Sequence, residues 1–139
     1  IYPKHIKRIA CDILNGLQFL KFNKIIHADL KPENILFLDD VSYKVLICDF
    51  NLSIDLDKIN NKSKKNYNIQ SIWYRAPEII LESDYDYNID LWSLGCIIYE
   101  LYFNSPLFYC KHNRELFSKI YSFLGKPNIE TIHDSNNED

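Results

Sequence analysis

The chain has 139 residues, of which 47% are hydrophobic and 25% are charged, so it is long enough for one buried core and too short for two ordinary domains. A formal net charge of −3 provides no basic field of the kind that draws proteins to nucleic acid or anionic lipid, so neither partner is expected. No apolar run approaches the roughly 18 residues that a membrane span requires, so no membrane-spanning helix is expected.

The first predicted element is a helix from His5 to Phe22, because its apolar residues recur at helical spacing. We expect them to form one buried face, made of Ile6, Ile9, Ile13, Leu14, Leu17 and Leu20. Asn23 and Lys24 end this helix, and Ile25 and Ile26 begin a short extended segment.

Two strands follow, at residues 35–38 and 43–47, and the turn Asp39-Asp40 between them predicts a β-hairpin. Residues 55–68 are rich in Asp, Asn, Lys and Ser without an apolar period, which predicts an exposed, mobile loop. Residues 89–103 form a strongly apolar predicted helix, and residues 113–124 form a shorter amphipathic one.

The four cysteines show no paired spacing of the zinc or redox type, and most of them lie in apolar runs. They are Cys11, Cys48, Cys96 and Cys110. We therefore expect reduced thiols in the core of an intracellular protein, in the cytoplasm or the nucleus.

The residues with catalytic chemistry lie between the first helix and the hairpin, in the segment His27-Ala28-Asp29-Leu30-Lys31-Pro32-Glu33-Asn34. Asp29, Lys31 and Asn34 alternate in a short loop, so their side chains could converge on one cavity. Asp49-Phe50-Asn51 follows at the end of the next strand. Phosphoryl transfer needs a carboxylate to accept a hydroxyl proton, oxygen ligands for Mg²⁺ and a cation beside the moving phosphoryl group. This ordered set supplies all of them, although a single Asp after a strand is usually a turn residue.

These two segments resemble the catalytic loop and the metal-binding triplet of protein kinases. Residues 71–78, Ser-Ile-Trp-Tyr-Arg-Ala-Pro-Glu, resemble the end of the kinase activation segment, and residues 90–95, Asp-Leu-Trp-Ser-Leu-Gly, resemble the start of its central buried helix. The implied fold is α+β: the mainly α-helical C-terminal lobe of a protein kinase, with a short β-hairpin at the catalytic loop. We expect residues 1–127 to form this partial kinase domain and residues 128–139 to be a disordered or truncated tail.

The resemblance implies a role for each residue that matches a kinase motif. Asp29 would accept the proton of the substrate hydroxyl, and Lys31 would contact the transferred phosphate of ATP. Asn34 and Asp49 would hold Mg²⁺, and Leu36 would form the floor under the adenine. Structural roles are implied for His27, Phe50, Ser71, Arg75, Glu78 and Asp90.

These supporting roles differ from one another. His27 and Phe50 match packing residues that align the catalytic loop, and Asp90 matches the buried carboxylate that receives backbone amides of that loop. Ser71 matches the hydroxyl position typical of Ser/Thr kinases. Glu78 matches a carboxylate whose arginine partner would lie in later helices.

The triplet Trp73-Tyr74-Arg75 resembles the CMGC branch, which contains cyclin-dependent, mitogen-activated and dual-specificity Tyr-regulated kinases. Ala28 before the catalytic Asp, followed by Leu-Lys-Pro-Glu-Asn, resembles the homeodomain-interacting kinases and their dual-specificity relatives. The resemblance implies a protein substrate, with Pro after the phosphorylated residue.

Three residues depart from the family pattern. Ala28 replaces an arginine that in many kinases pairs with a phosphorylated loop residue. Asn68 occupies the position of an autophosphorylated tyrosine in these relatives, although Tyr67 lies next to it. Asn51 replaces the glycine of the metal-binding triplet, and asparagine tolerates positive φ better than most residues.

No Gly-rich loop, strand lysine or partner glutamate of a kinase N-terminal lobe is found in the sequence, so we expect that lobe to be missing from the chain. Three functions are considered. A Ser/Thr protein kinase in its full-length form is preferred, because every direct phosphoryl-transfer residue of this region is present. A pseudokinase or protein-binding module is motivated by Ala28, Asn51 and the truncation. A small-molecule phosphotransferase of kinase-like fold is disfavoured by Lys31-Pro32 and by residues 76–78 and 90–95, because such enzymes generally lack the peptide-docking segment.

Overall fold

The computed structural model describes residues 1–39, 41–58 and 66–125. Its helices are α1 (Pro3–Phe22), α2 (Pro77–Ile80), α3 (Asn88–Phe103) and α4 (Asn113–Leu124). Its strands are β1 (Ile25–Ile26), β2 (Ile35–Phe37), β3 (Val45–Ile47) and β4 (Ile54–Asp55), and two 3₁₀ turns span Pro32–Asn34 and Ile72–Tyr74. The predicted order of long helices around a hairpin is confirmed.

Helix α1 begins at Pro3, earlier than the predicted start at His5. Proline is suited to this position because its fixed φ is helical and its missing N–H has no partner in a first turn. The buried face consists of Ile6, Ile9, Ile13, Leu17 and Leu20. Leu14 was wrongly placed on this face, since it is 44% exposed. It follows Ile13 by one residue and therefore lies about 100° around the helix from the buried stripe.

Helix α1 packs against strand β3 and helix α3. A Cβ atom on Gly16 would lie 2.8 Å from Cδ1 of Ile47, so glycine lets the helix approach the hairpin without displacing that side chain. Strands β2 and β3 are antiparallel, with Leu36 opposite Leu46. The two strands are shorter than predicted, although the amide of Leu38 still donates to Lys44 O at 2.9 Å.

A second antiparallel pair joins β1 to β4, with Ile26 opposite Ile54 and Ile25 opposite Asp55. Asp55 was predicted to begin the exposed loop and is instead the last residue of a strand. A two-residue strand has no measurable period, and aspartate is depleted in strands, so no local pattern predicts this strand. Residues 59–65 of the predicted loop and 126–139 around the predicted tail lie outside the described residues.

Helix α3 lies at the centre of the fold and packs against α1 and against the 3₁₀ turn Ile72–Tyr74. Its buried residues include two polar ones near its beginning, Asp90 and Ser93. Helix α4 buries Leu116 and Ile120 and contacts α2 and the same 3₁₀ turn. The first turns of α3 therefore lie beneath the segments that contain the predicted catalytic residues, with one segment on each side of the helix.

The cysteines divide into two groups. Cys96 and Cys110 are buried as expected, and burial raises the pKa of Cys96 to about 12. Cys48 is partly buried, whereas Cys11 is exposed on α1, so the expectation of a core thiol was wrong there. All four are free thiols. Within the described residues, no helix is both long enough and apolar enough to cross a membrane.

Candidate active site

The loop between β1 and β2 is folded back on itself by a 3₁₀ turn. Lys31 is extended, with φ −158° and ψ 164°, as expected for a residue before proline. Pro32 then begins the turn, which is closed by the amide of Asn34 donating to Lys31 O at 3.0 Å. This turn returns Asn34 to Asp29, so the alternating polar residues of the motif do converge.

Asp29 lies at the centre of these contacts and is only 7% exposed. Its Oδ2 accepts a hydrogen bond from Lys31 Nζ at 2.7 Å. Its Oδ1 accepts two from Ser71, at 2.8 Å from Oγ and 3.0 Å from the backbone amide. Burial alone would raise the pKa of Asp29, but the hydrogen bonds from Lys31 and Ser71 outweigh it and hold the pKa below its ordinary value. The carboxylate is therefore ionised at neutral pH and can act as a proton acceptor.

Lys31 is held by the same ion pair. The hydrogen bond to Asp29 raises the pKa of Lys31, with a further contribution from the nearby Asp49 charge. Its Nζ also lies 3.2 Å from Ser71 Oγ. Lys31 is consequently a fixed cation beside the candidate base.

Asn34 and Asp49 supply oxygen atoms beside this pair. The side-chain nitrogen of Asn34 donates to Asp29 O at 2.8 Å, and no described residue donates to the Asn34 carbonyl oxygen Oδ1. The amide of Cys48 donates to Asn34 O at 2.9 Å, which places the next residue, Asp49, beside Asn34. Within the described residues, the Asp49 carboxylate accepts only the amide of Asn51, at 3.3 Å.

Hard oxygen ligands of this kind suit Mg²⁺, which is usually held by one or two protein groups, with waters and substrate phosphates completing its octahedron. No group of three or more His, Cys, Asp or Glu residues that could hold a metal occurs in the described part of the chain. Asn34 and Asp49 therefore suit a site in which Mg²⁺ is held by these two residues together with a phosphate ligand. They do not suit a site in which protein groups alone surround the metal.

His27 connects the loop to the strand that precedes Asp49. Its Nδ1 accepts the amide of Asp29 at 3.3 Å, and its Nε2 lies 3.0 Å from Cys48 O. This network assigns a neutral ring with the proton on Nε2. The ring also meets Phe50 edge-on, with centroids 5.1 Å apart. Phe50 itself is exposed, so His27 covers one face of it only.

Asp90, in the first turn of α3, holds the other side of the loop. Its two oxygens accept the backbone amides of His27 at 2.7 Å and Ala28 at 3.0 Å. Asp90 is 3% exposed, and burial raises its pKa although the two amides act in the opposite direction. Ala28 has φ 64°, a left-handed conformation that a non-glycine residue adopts only when its surroundings hold it there.

Ser71 and Arg75 belong to the segment between residue 66 and α2. Ser71 joins the candidate site through its hydrogen bonds to Asp29. Arg75 does not, since its guanidinium donates to Gln70 O at 2.7 and 3.2 Å and to Asn113 Oδ1 at 2.8 Å. Glu78 lies in α2, is only partly buried, and makes no side-chain hydrogen bond or ion pair with the described residues.

Leu36 lies on the hairpin face that points away from α1. It is 52% exposed, and Leu46 opposite it is equally exposed. The pair forms an apolar surface across β2 and β3, close in sequence to Asn34 and Asp49, which is suited to contact with a planar ring.

One residue of this region had no role in the sequence predictions. Gln70 is buried, and its side chain bonds to Ile89, Ser93 and Ala76. A polar residue between Ile69 and Ser71 is a weak signal, because the same pattern is found in ordinary loops.

Comparisons with known proteins found similar sequences and a similar structure. The sequence profile of the protein kinase domain matches residues 1–138. A probable serine/threonine-protein kinase, dyrk2 of Dictyostelium discoideum, is 40% identical over 134 residues, covering 96% of this chain and 14% of that protein. The human dual specificity tyrosine-phosphorylation-regulated kinase 4 is 42% identical over 123 residues, covering 88% of this chain and 22% of that protein. Among solved structures, the yeast RNA Pol II CTD kinase CTDK-1 complex contains a similar chain, with TM-score 0.86, 28% identity and coverage of 98% of this chain and 44% of that one.

Proposed function

The chain belongs to the protein kinase family, within the branch of dual-specificity and cyclin-dependent kinases, and we propose that the full-length protein containing it transfers the γ-phosphate of ATP to serine and threonine hydroxyls of proteins. The chain spans less than half the length of the relatives it matches, so this proposal concerns a longer protein. The observation that carries it is Asp29, a carboxylate kept ionised between Lys31 and Ser71.

In the proposed reaction, Asp29 orients the substrate hydroxyl and accepts its proton as the phosphoryl group moves. Lys31 stabilises the charge on the moving group and keeps Asp29 ionised. Asn34 and Asp49 would hold Mg²⁺, which supplies positive charge to the phosphates when it is bound. The Leu36 and Leu46 surface would contact the adenine. Catalysis of this kind depends almost entirely on positioning. The hydrogen bond that Asn34 donates to Asp29 and the one that the His27 amide donates to Asp90 provide this positioning.

A preference for Pro after the acceptor residue is supported by Gln70. Its φ of 61° turns the carbonyl oxygen toward Arg75, which donates to it twice. A substrate residue lying against this carbonyl would find no free acceptor for its N–H, and leaving a buried N–H unpaired costs about 1–3 kcal/mol. Proline has no N–H and therefore loses nothing. We accordingly propose protein substrates with Pro directly after the phosphorylated Ser or Thr.

The departures from the family pattern do not favour a pseudokinase. Asn51 is not among the described residues with positive φ, so asparagine replaces glycine there without left-handed strain. Ala28 keeps the left-handed backbone that its hydrogen bonds to Asp90 and Gln70 require. A small-molecule phosphotransferase is disfavoured because Ser71 donates a hydrogen bond to Asp29. Ser71 belongs to residues 71–78, which resemble the end of the kinase activation segment.

The test is a transfer assay on the full-length protein with Mg-ATP and matched peptides that differ only in Pro or Ala after the acceptor Ser. We expect transfer to both, with higher kcat/KM for the Pro peptide, and a tyrosine version of the peptide measures dual specificity. Mg²⁺-dependent ATP binding without transfer to any peptide or protein would favour a binding module. ATP binding that is the same with and without Mg²⁺ would contradict the proposed metal ligands.

A further inference from the structure

Gln70 is 3% exposed, and its side-chain amide is almost fully hydrogen-bonded. Its Nε2 donates to the backbone oxygen of Ile89 at 2.8 Å and to Ser93 Oγ at 2.9 Å. Its Oε1 accepts the backbone amide of Ala76 at 2.9 Å. Both donors of the amide are used, and both lead to the first two turns of α3. A buried amide with this many partners acts as a crosslink, because losing either end leaves buried polar groups unpaired.

The backbone of Gln70 is bonded as completely as its side chain. Its amide donates to Ala28 O at 2.8 Å, and its carbonyl oxygen accepts both bonds from Arg75. The left-handed φ of 61° is sterically unfavourable for a non-glycine residue. The hydrogen bonds around it offset this cost, so the conformation depends on them.

One part of α3 therefore holds two segments of the candidate active site. Asp90 accepts amides of His27 and Ala28, which directly precede Asp29. Ile89 and Ser93 bind Gln70, which directly precedes Ser71. Asp29 and Ser71 are thus each one residue away from an anchor on the same helix, and they meet in the 2.8 Å bond between Ser71 Oγ and Asp29 Oδ1.

We propose that Gln70 is a positioning residue for phosphoryl transfer: its side-chain amide fastens the segment 70–76 to the beginning of α3 and thereby holds Ser71 against Asp29. The inference rests on the proposed kinase function for its catalytic consequence. Gln70 acts through Ser71, and its own amide is turned away from Asp29 toward α3. Because the crosslink is neutral, it holds the segment without a phosphate group.

Two substitutions separate the effect of losing the hydrogen bonds of Gln70 from the effect of changing the volume of its side chain. Gln70→Met has a similar length but removes all three side-chain hydrogen bonds. Gln70→Glu keeps an oxygen for the Ala76 amide but places a second oxygen against the carbonyl of Ile89. The matched control is Gln18→Met, since Gln18 is exposed on α1 and its side chain makes no hydrogen bond within the described residues.

The first readout is the kinetics of the full-length protein. We expect Gln70→Met and Gln70→Glu to lower kcat by about 10-fold or more while KM for ATP changes little, because the nucleotide-binding residues are untouched. Parent values of kcat in Gln70→Met would overturn the proposal.

The second readout does not need activity. Hydrogen exchange on the full-length protein should be at least 10-fold faster at the amides of Ser71 and Ala76 in Gln70→Met, and at the amide of Ser71 in Gln70→Glu, with no change in α1 and no change in Gln18→Met. Equal acceleration in α1 and at residues 71–76 would mean general destabilisation and would overturn the positioning role. If Gln70→Met does not fold, Ser93→Ala removes a single partner of Gln70 and is expected to open the same two amides. If the variants show this exchange pattern while the parent protein transfers no phosphate, the kinase function is refuted and the crosslink is supported.

Discussion

The carboxylate of Asp90 accepts the backbone amide of His27 at 2.7 Å, across 63 positions of the chain. Its other oxygen accepts the amide of Ala28, so a buried charge at the start of α3 fixes the residues just before Asp29. A buried carboxylate is stabilised only when its oxygens are fully bonded, and here two backbone donors meet that need. The position of the candidate base is therefore set by helix α3.

Asp90→Asn should destabilise the protein and slow transfer together. The asparagine side chain can accept only one of the two amides and points its NH₂ group at the other. One buried donor left unpaired costs about 1–3 kcal/mol, and we expect a loss of that size in the free energy of unfolding measured in denaturant. Asp86→Asn is the control, because Asp86 is exposed and its Oδ1 accepts the amide of Asn88 at 2.8 Å, a bond that an asparagine oxygen can also accept. Equal stability of the two variants would contradict the anchoring role of Asp90.

Asp49→Ala should act on the nucleotide as well as on the rate. Removing one of the two oxygen ligands weakens Mg²⁺-dependent ATP binding and abolishes transfer. ATP titration calorimetry with and without Mg²⁺ measures this, and Asp57→Ala, on an exposed surface, is the control. If the variant keeps the parent's Mg²⁺ dependence, Asp49 is not a ligand.

Ser71→Ala should move the acidic limb of the pH profile. The hydrogen bonds of Lys31 and Ser71 hold the pKa of Asp29 below its ordinary value of about 3.9, so in the parent the base is lost only as pH falls through that lowered value. Removing the Ser71 hydroxyl raises the pKa of Asp29, and activity should then begin to fall at a higher pH. Steady-state kcat/KM from about pH 2.5 to about pH 7 tests this, because that range includes the pH at which carboxylates lose their charge. A limb at the parent position would show that the hydroxyl does not affect Asp29.

This chain expressed alone should transfer no phosphate and should tend to aggregate. The Leu36 and Leu46 surface is half exposed, and an apolar cavity of about 400 Å³ between α3 and α4 is lined by Trp92, Phe108 and Phe123 among others. Exposed apolar areas of this kind favour association. Calorimetry, light scattering and a Mg-ATP assay on the chain give the test. A sharp cooperative melt together with robust transfer would contradict it.

The sequence predicted the long elements and the chemistry because both are encoded locally. The apolar period placed α1 and α4, and the alternation of Asp29, Lys31 and Asn34 marked the catalytic loop. Short strands such as β4 were missed, since two residues are too few to show a period. Leu14 was misplaced because it is apolar and adjacent to Ile13, and these two properties do not show that its side chain faces the core.

Long-range hydrogen bonds were the least accessible part of the candidate site. Nothing in the sequence around Gln70 indicates that its amide reaches Ile89 and Ser93, which lie 19 and 23 positions away. The left-handed φ values of Ala28 and Gln70 were equally hidden, because glycine, asparagine and aspartate are the usual signals for them. Such features depend on tertiary contacts that no local pattern specifies.

The most direct test of the account is Asp29→Asn in the full-length protein, with ATP binding and phosphate transfer measured on the same preparation. Asparagine preserves shape but cannot accept the hydroxyl proton, and a general base commonly contributes about 10²- to 10⁴-fold to the rate. We predict a loss of kcat in that range with Mg-ATP affinity close to that of the parent. Transfer within a few-fold of the parent rate would remove Asp29 from the mechanism and contradict the central claim.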